Sequence, residues 1–121
     1  MKNRLSDTTY NLEERTAAFG EKIIKLCRSI PQDVITKPII NQLIRSGTSI
    51  GANYMEANAA SSRKDFKNKI FICKKESQET QHWLRMMAQC VPGKKEEIRN
   101  LWKEVHELIL IFGKIVSTLR N

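Results

Sequence analysis

The feature that most constrains this chain is a helical apolar period in four segments, each broken by turn-forming residues. Leu12, Phe19, Ile23, Leu26, Cys27 and Ile30 share one face at about 100° per residue, and Pro31 stops the run. Asn11, with Glu14 three residues on, reads as its N-cap signal. A second period starts near Thr36, with Pro38 in the first turn, where a missing N–H costs nothing. It runs to residue 60 through Ile39, Leu43, Ile44, Gly47, Ile50, Tyr54 and Ala57. Ser62-Arg63-Lys64-Asp65 has the form of a capping box opening a third helix. That helix turns Phe66, Ile70, Cys73, Thr80, Trp83, Leu84, Met87 and Val91 inward before Pro92-Gly93 ends it. The fourth uses Ile98, Leu101, Trp102, Val105, Leu108, Ile109, Phe112, Ile115, Val116 and Leu119. No stretch alternates apolar and polar residues for long enough to suggest a strand. Helices over 12–30, 37–60, 63–91 and 94–119 with short turns predict one all-α domain over 1–121, an antiparallel up-down-up-down four-helix bundle.

Within the second helix, IRSGTSIGANYMEA (44–57) lacks the long flexible charges of a solvated face. Arg45, Ser49, Ala52, Asn53 and Glu56 gather opposite Ile50 and Tyr54, with small neighbours, so a second, close-packed contact face is expected. Gly47 and Gly51, one turn apart, admit a neighbouring helix. An antiparallel turn near residues 60–62 sets Glu56 or Asn53 near Lys69, and Arg45 near Glu76 or Glu79. Opposite charges facing each other inside a bundle neutralise one another, because an unpaired buried charge is expensive. Arg45, Ser49, Asn53, Glu56, Lys69 and Glu76 are therefore read as a structural polar network. The competing reading is a ligand or metal site. Bundle di-metal sites repeat Glu-x-x-His on two helices, whereas His106 follows Glu104 by two residues, on the wrong face. No metal, no cofactor and no enzymatic nucleophile–base pair is expected.

Charge points elsewhere. The formal net charge is +8, and residues 61–92 hold seven Lys/Arg against three Asp/Glu, while 32–60 are balanced at two against two. Arg63, Lys64, Lys67, Lys74, Lys75 and Arg85 occupy the outward face of the third helix, interleaved with Phe71, Gln78, Gln81 and His82. Cations mixed with amides and an aromatic suit phosphate contact and base stacking. The bland alternative is a solvated face, although such a face ordinarily mixes signs. Nothing matches a helix-turn-helix. Around Leu108 to Phe112 the fourth helix is apolar on every side, so Leu110 and Ile111 are expected at an oligomer interface. The three cysteines, Cys27, Cys73 and Cys90, are odd in number and show no close spacing; free thiols packed as small hydrophobes are expected. The N-terminal MKNRLSDTTY has no apolar signal-peptide core. The longest apolar run, Leu108 to Phe112, is far below the roughly 20 residues of a membrane span. A cytoplasmic, non-membrane protein is expected.

Leu43 to Ala57 (LIRSGTSIGANYMEA) and Asp65 to Met87 (DFKNKIFICKKESQETQHWLRMM) together resemble the two signatures of the four-helix-bundle family named for proteins encoded in intervening sequences of bacterial 23S rRNA genes. The resemblance spans nearly the whole chain. It implies a ring-like homo-oligomer, typically a pentamer, and places Arg45, Asn53, Glu56 and Glu76 at motif positions of structural character. The family includes the accessory variability protein of diversity-generating retroelements, which is similarly basic and binds nucleic acid and the retroelement reverse transcriptase. The expected function is a non-enzymatic oligomeric protein that binds RNA or DNA, with a reverse transcriptase as a candidate partner. The alternative is an oligomeric protein-interaction scaffold without a nucleic-acid role.

Overall fold

The computed structural model describes residues 11–119. Four helices account for nearly all of them: α1 (Leu12–Arg28), α2 (Thr36–Asn58), α3 (Arg63–Cys90) and α4 (Lys95–Thr118), with a 3₁₀ turn at Pro92–Lys94 before α4. The packed seams are α1–α2, α2–α3 and α3–α4, and a sparser α1–α4 contact closes the ring. This is the expected up-down-up-down four-helix bundle. Phe19, Ile23, Leu26, Leu43, Ile50, Ile70, Leu84, Met87, Val105, Leu108 and Phe112 fill its centre, all but inaccessible to water.

Local chemistry explains the boundaries. Asn11 precedes α1, but its side chain makes no cap; the acidic Glu13 and Glu14 in the first turn and Lys25 and Arg28 in the last complement the helix dipole instead. α1 ends at Arg28, two residues before the expected limit, because Ser29 Oγ bonds the Leu26 carbonyl at 2.6 Å and the chain turns so that Ile30 still reaches the core. The start of α2 is held by a device the sequence reading overlooked. Asp33 Oδ1 accepts the N–H groups of Ile35 and Thr36 at 2.8 Å each, while Thr36 Oγ1 accepts Asp33 N–H at 3.0 Å and donates to Pro31 O at 2.7 Å. The cap on α3 is as expected: Ser62 Oγ accepts Asp65 N–H at 3.0 Å.

The glycines of α2 lie against α1. A Cβ on Gly47 would sit 2.9 Å from Ile23 Cγ1, and one on Gly51 would sit 3.3 Å from Thr16 Oγ1. Small hydroxyl residues serve similar close seams without stranding a donor. Thr16, Ser77 and Thr80 each bond a carbonyl four residues back, at 2.6, 2.8 and 2.8 Å.

Some inward assignments shift. Ile40 and Ser46 are buried on α2, whereas Ile39, Ile44 and Tyr54 are half-buried at its edges, as are Phe66, Trp83 and Val91 around α3. Trp102, expected in the core, is 38% exposed. Its position on α4 lies at the border of the apolar stripe, and the bulky indole leaves the core to the smaller Leu101 and Val105. Leu110 is 59% exposed, while Ile111 is half-buried and packs on the core, so of the two expected interface residues Leu110 is the more exposed.

Candidate nucleic-acid interface

Counting about 100° per residue, α3 sorts its charges by flank. Asp65, Glu76 and Glu79 face α2; Arg63, Lys67, Lys74 and Arg85 lie on the opposite flank beside α4; Lys64 and Lys75 point outward between them. The acidic flank is engaged by α2. The Arg45 guanidinium donates to Glu76 at 3.1 and 3.3 Å and also bonds Glu79. Lys69 Nζ donates to Glu56 at 2.8 Å. Both cations are held more firmly protonated than usual, Arg45 chiefly by its bond to Glu76 and then Glu79, Lys69 by Glu56.

The anticipated partners therefore meet, but not where expected. Arg45 is 46% exposed and Glu56 54% exposed, so the network lines the rim of the α2–α3 seam rather than its interior. Long side chains starting near the seam reach water more readily than they bury charge. Ser49 and Asn53 do not join the cross-helix network. Ser49 Oγ bonds the Arg45 carbonyl and Asn53 Nδ2 bonds the Ser49 carbonyl at 2.8 Å, each within α2. At a solvent-facing rim such pairs set register more than stability, since exposed ion pairs contribute little.

Engagement of the α3 acids leaves the other flank basic. Arg63, Lys64, Lys75 and Arg85 are exposed and Lys67 and Lys74 half-buried. The six candidate residues thus occupy an arc from the outward face to the α4 seam, not a single ridge. Helix α4 repeats the sorting. Glu104 and Glu107 turn to α1, where Arg15 Nε and Nη2 clasp Glu104 at 2.7 and 2.9 Å and Nη2 reaches Glu107 at 2.8 Å. The Glu104 bond raises the Arg15 pKa most; burial opposes it, and the Glu107 bond adds to the rise, so the net shift is upward. Glu97 likewise lies toward α1, beside Lys22 and Lys25. The α4 flank facing α3 carries Lys95, Arg99, Trp102 and His106 instead. Lys74 Nζ lies over Gly113, the Gln81 amide is 3.3 Å from His106 Nδ1, and Arg85 shares a hollow with Lys95, Arg99 and Trp102. The α3–α4 seam is therefore a basic strip in which both helices take part. Reading helices singly missed the α4 half; the signal available was Lys95 and Arg99 one turn apart.

The profile of the 23S rRNA-intervening sequence protein family matches residues 9–114. The chain belongs to that family. A 1.70 Å crystal structure of a protein with unknown function from the S23 ribosomal protein family, from Bacteroides thetaiotaomicron VPI-5482, is 30% identical to it. The alignment covers 86% of this chain and 96% of that one, with a TM-score of 0.77. No curated protein matches the chain significantly.

The remaining reactive groups of this 23S rRNA-intervening sequence family member are quiet. Burial pushes the Cys27 thiol up to about 11 and the Cys73 thiol up to about 12; both are buried, and Cys90 is half-buried. Glu79 and His82 do stand in Glu-x-x-His spacing on α3, but Glu79 is taken by Arg45 and His82 is exposed, its ring edge against Trp83 at 4.8 Å. Among the described residues no group of three or more His, Cys, Asp or Glu could hold a metal ion. No described helix is long and apolar enough to cross a membrane.

Proposed function

We propose that this protein is a non-enzymatic, cytoplasmic accessory protein that binds nucleic acid, RNA in the first place, through a basic surface repeated around a homo-oligomer. The observation that carries the reading is charge sorting: Glu76 and Glu79 of α3 are paired with Arg45 of α2, and Glu104 and Glu107 of α4 with Arg15 of α1, leaving the α3–α4 side basic. Such a surface gains affinity by releasing counterions from a phosphate backbone. Its contacts are Arg63, Lys64, Lys67, Lys74, Lys75 and Arg85. The family's link to 23S rRNA genes supports RNA as the polyanion.

Oligomerisation rests on exposed apolar side chains that one bundle leaves uncovered: Leu110 and Met55, each 59% exposed, and Ile24 beside Met55 in the α1–α2 groove. Family resemblance supports a pentameric ring, which multiplies a weak patch by avidity. It also extends the proposal to a retroelement reverse transcriptase as protein partner.

The test is a salt-titrated binding assay with structured RNA and duplex DNA, beside light scattering. Affinity is expected to fall steeply with salt. Replacing Lys67, Lys74 and Lys75 by Ala is expected to flatten the log–log slope by roughly 0.7 to 0.9 for each phosphate that is no longer neutralised. Absence of binding at low salt refutes the nucleic-acid role and leaves the protein-scaffold alternative; a clean monomer refutes the ring.

A further inference from the structure

The hollow between the C-terminal part of α3 and the start of α4 has a composition found in none of the other described grooves. It encloses about 230 Å³ and is lined by Arg85, Ala88, Lys95, Ile98, Arg99 and Trp102. No carboxylate lines it. Arg85, Lys95 and Arg99 make no ion pair with any described residue, whereas Arg45 and Arg15 each hold two carboxylates. Three like charges around one depression repel each other, and no carboxylate among the described residues pairs with them.

Trp102 supplies the second half of the site. Its indole stacks on the His106 ring, with centroids 5.1 Å apart and planes 10° from parallel. The Gln81 amide, 3.3 Å from His106 Nδ1, steadies that imidazole from α3. The indole is thus backed by a second ring, held at the mouth of the hollow and partly open to solvent. Ile98 and Ala88 give the floor an apolar lining. A flat aromatic face ringed by cations fits a planar, apolar-faced group joined to anions. An unpaired nucleobase with its flanking phosphates is such a group. The volume is below the roughly 300 to 1,000 Å³ of sites for drug-sized ligands, which suits a single base better than a larger molecule. Acidic side chains match the cations but carry no ring to stack.

We infer that Trp102, with Arg85, Lys95 and Arg99, forms a subsite for one unpaired nucleotide of a single-stranded segment. This deepens the proposed nucleic-acid role and rests on it. The base stacks on Trp102, and the guanidinium and ammonium groups hold the phosphates on either side. The Lys67–Lys74–Lys75 region engages phosphate whether paired or not, so the subsite supplies preference for unpaired strands.

The experiment uses the full chain with Trp83→Phe, leaving Trp102 as the only indole. Trp83 Nε1 makes no hydrogen bond to the described residues, so the change removes none. Oligouridine, oligothymidine, a fully paired RNA hairpin and polyglutamate are titrated while tryptophan emission and affinity are followed. Both single strands are expected to quench Trp102, and polyglutamate is not. Trp102→Ala is expected to weaken single-strand binding about 5- to 150-fold with an unchanged salt slope and unchanged hairpin affinity, and Trp102→Phe to retain most of the affinity. Arg85→Ala with Arg99→Ala is expected to reduce the salt slope for single strands. Wild-type-like single-strand affinity in Trp102→Ala, or emission unmoved at saturation, overturns the subsite while hairpin binding keeps the broader role standing. Equal quenching by polyglutamate also overturns it, in favour of an acidic protein partner. Failure of every nucleic acid to bind overturns both.

Discussion

Replacing Gly47 by alanine tests how α1 and α2 come together. Neither glycine of this seam has a left-handed backbone, so the role of Gly47 lies in its missing side chain, not in conformational freedom. In an exposed helix interior, Gly→Ala stabilises by about 1 kcal/mol. Here the new Cβ would lie 2.9 and 3.0 Å from Ile23 Cγ1 and Cγ2. Ile23 is fully buried and β-branched, so its χ1 cannot swing aside and α1 itself must move. Overpacking of this kind costs about 1 to 3 kcal/mol, leaving a net loss near 1 kcal/mol. For a chain of this size that lowers the melting midpoint by about 3 to 6 °C.

The same substitution at Gly20 provides the control. Its Cβ would meet the Thr48 Cα at 3.6 Å, an ordinary contact, so only the propensity gain of about 1 kcal/mol remains. Two chemically identical changes on facing helices should therefore move the midpoint in opposite directions in thermal unfolding followed by far-UV circular dichroism. In an Ile23→Ala background the cost of Gly47→Ala should disappear, whereas Ile23→Val, which keeps both Cγ atoms, should leave it intact. A Gly47→Ala protein as stable as Gly20→Ala, or a penalty that persists without the Ile23 Cγ atoms, would refute close approach as the reason for this glycine.

Two further outcomes follow from single groups. Asp33 titrates below the ordinary carboxylate value of 3.8, chiefly through the Thr36 backbone N–H and then that of Ile35. Because its folded pKa is lowered, its contribution is fully present above the ordinary value of 3.8 and is lost as pH falls from there through the folded pKa. Asp33→Ala is expected to lower the neutral-pH midpoint by a few degrees and to flatten its pH dependence below 3.8; an unchanged acid profile would remove the cap from the account of α2. Of the three thiols, Cys27 and Cys73 are buried and shifted up to about 11 and about 12. Alkylation of the native protein at mildly alkaline pH is expected to modify Cys90 alone, with all three reacting after unfolding; rapid native labelling of Cys73 would mean that α3 opens.

What could be read beforehand differs by physical cause. Apolar periodicity located all four helices because burial punishes any departure from it. Arg45 with Glu76 and Glu79, and Glu56 with Lys69, were legible because antiparallel register follows from a short turn and long side chains tolerate its imprecision. Asn53 and Ser49 were misassigned because their short side chains reach their own helix more easily than a neighbour. Trp102 was misplaced for another reason. A helical wheel orders residues around one axis but does not say where the next helix ends and solvent begins. The Asp33–Thr36 cap shows in the sequence only as a spacing of three, a weaker signal than the proline that follows.

The same limit applies to charge, and it bears on where function resides. An excess of +8 is a property of the chain, but an electrostatic field acts from wherever cations lack carboxylates beside them. That location depends on pairing between helices, which no single helix reveals. Once Arg45 draws Glu76 and Glu79 toward α2, and Arg15 draws Glu104 and Glu107 toward α1, the α3–α4 seam is left with lysines and arginines from both sides. The signature residues Arg45 and Glu76 thus shape the proposed binding surface indirectly, by removing negative charge from it. On this reasoning Arg45→Ala should weaken polyanion binding although Arg45 lies at the α2–α3 rim, away from the basic face, because it releases two carboxylates on the helix that carries that face.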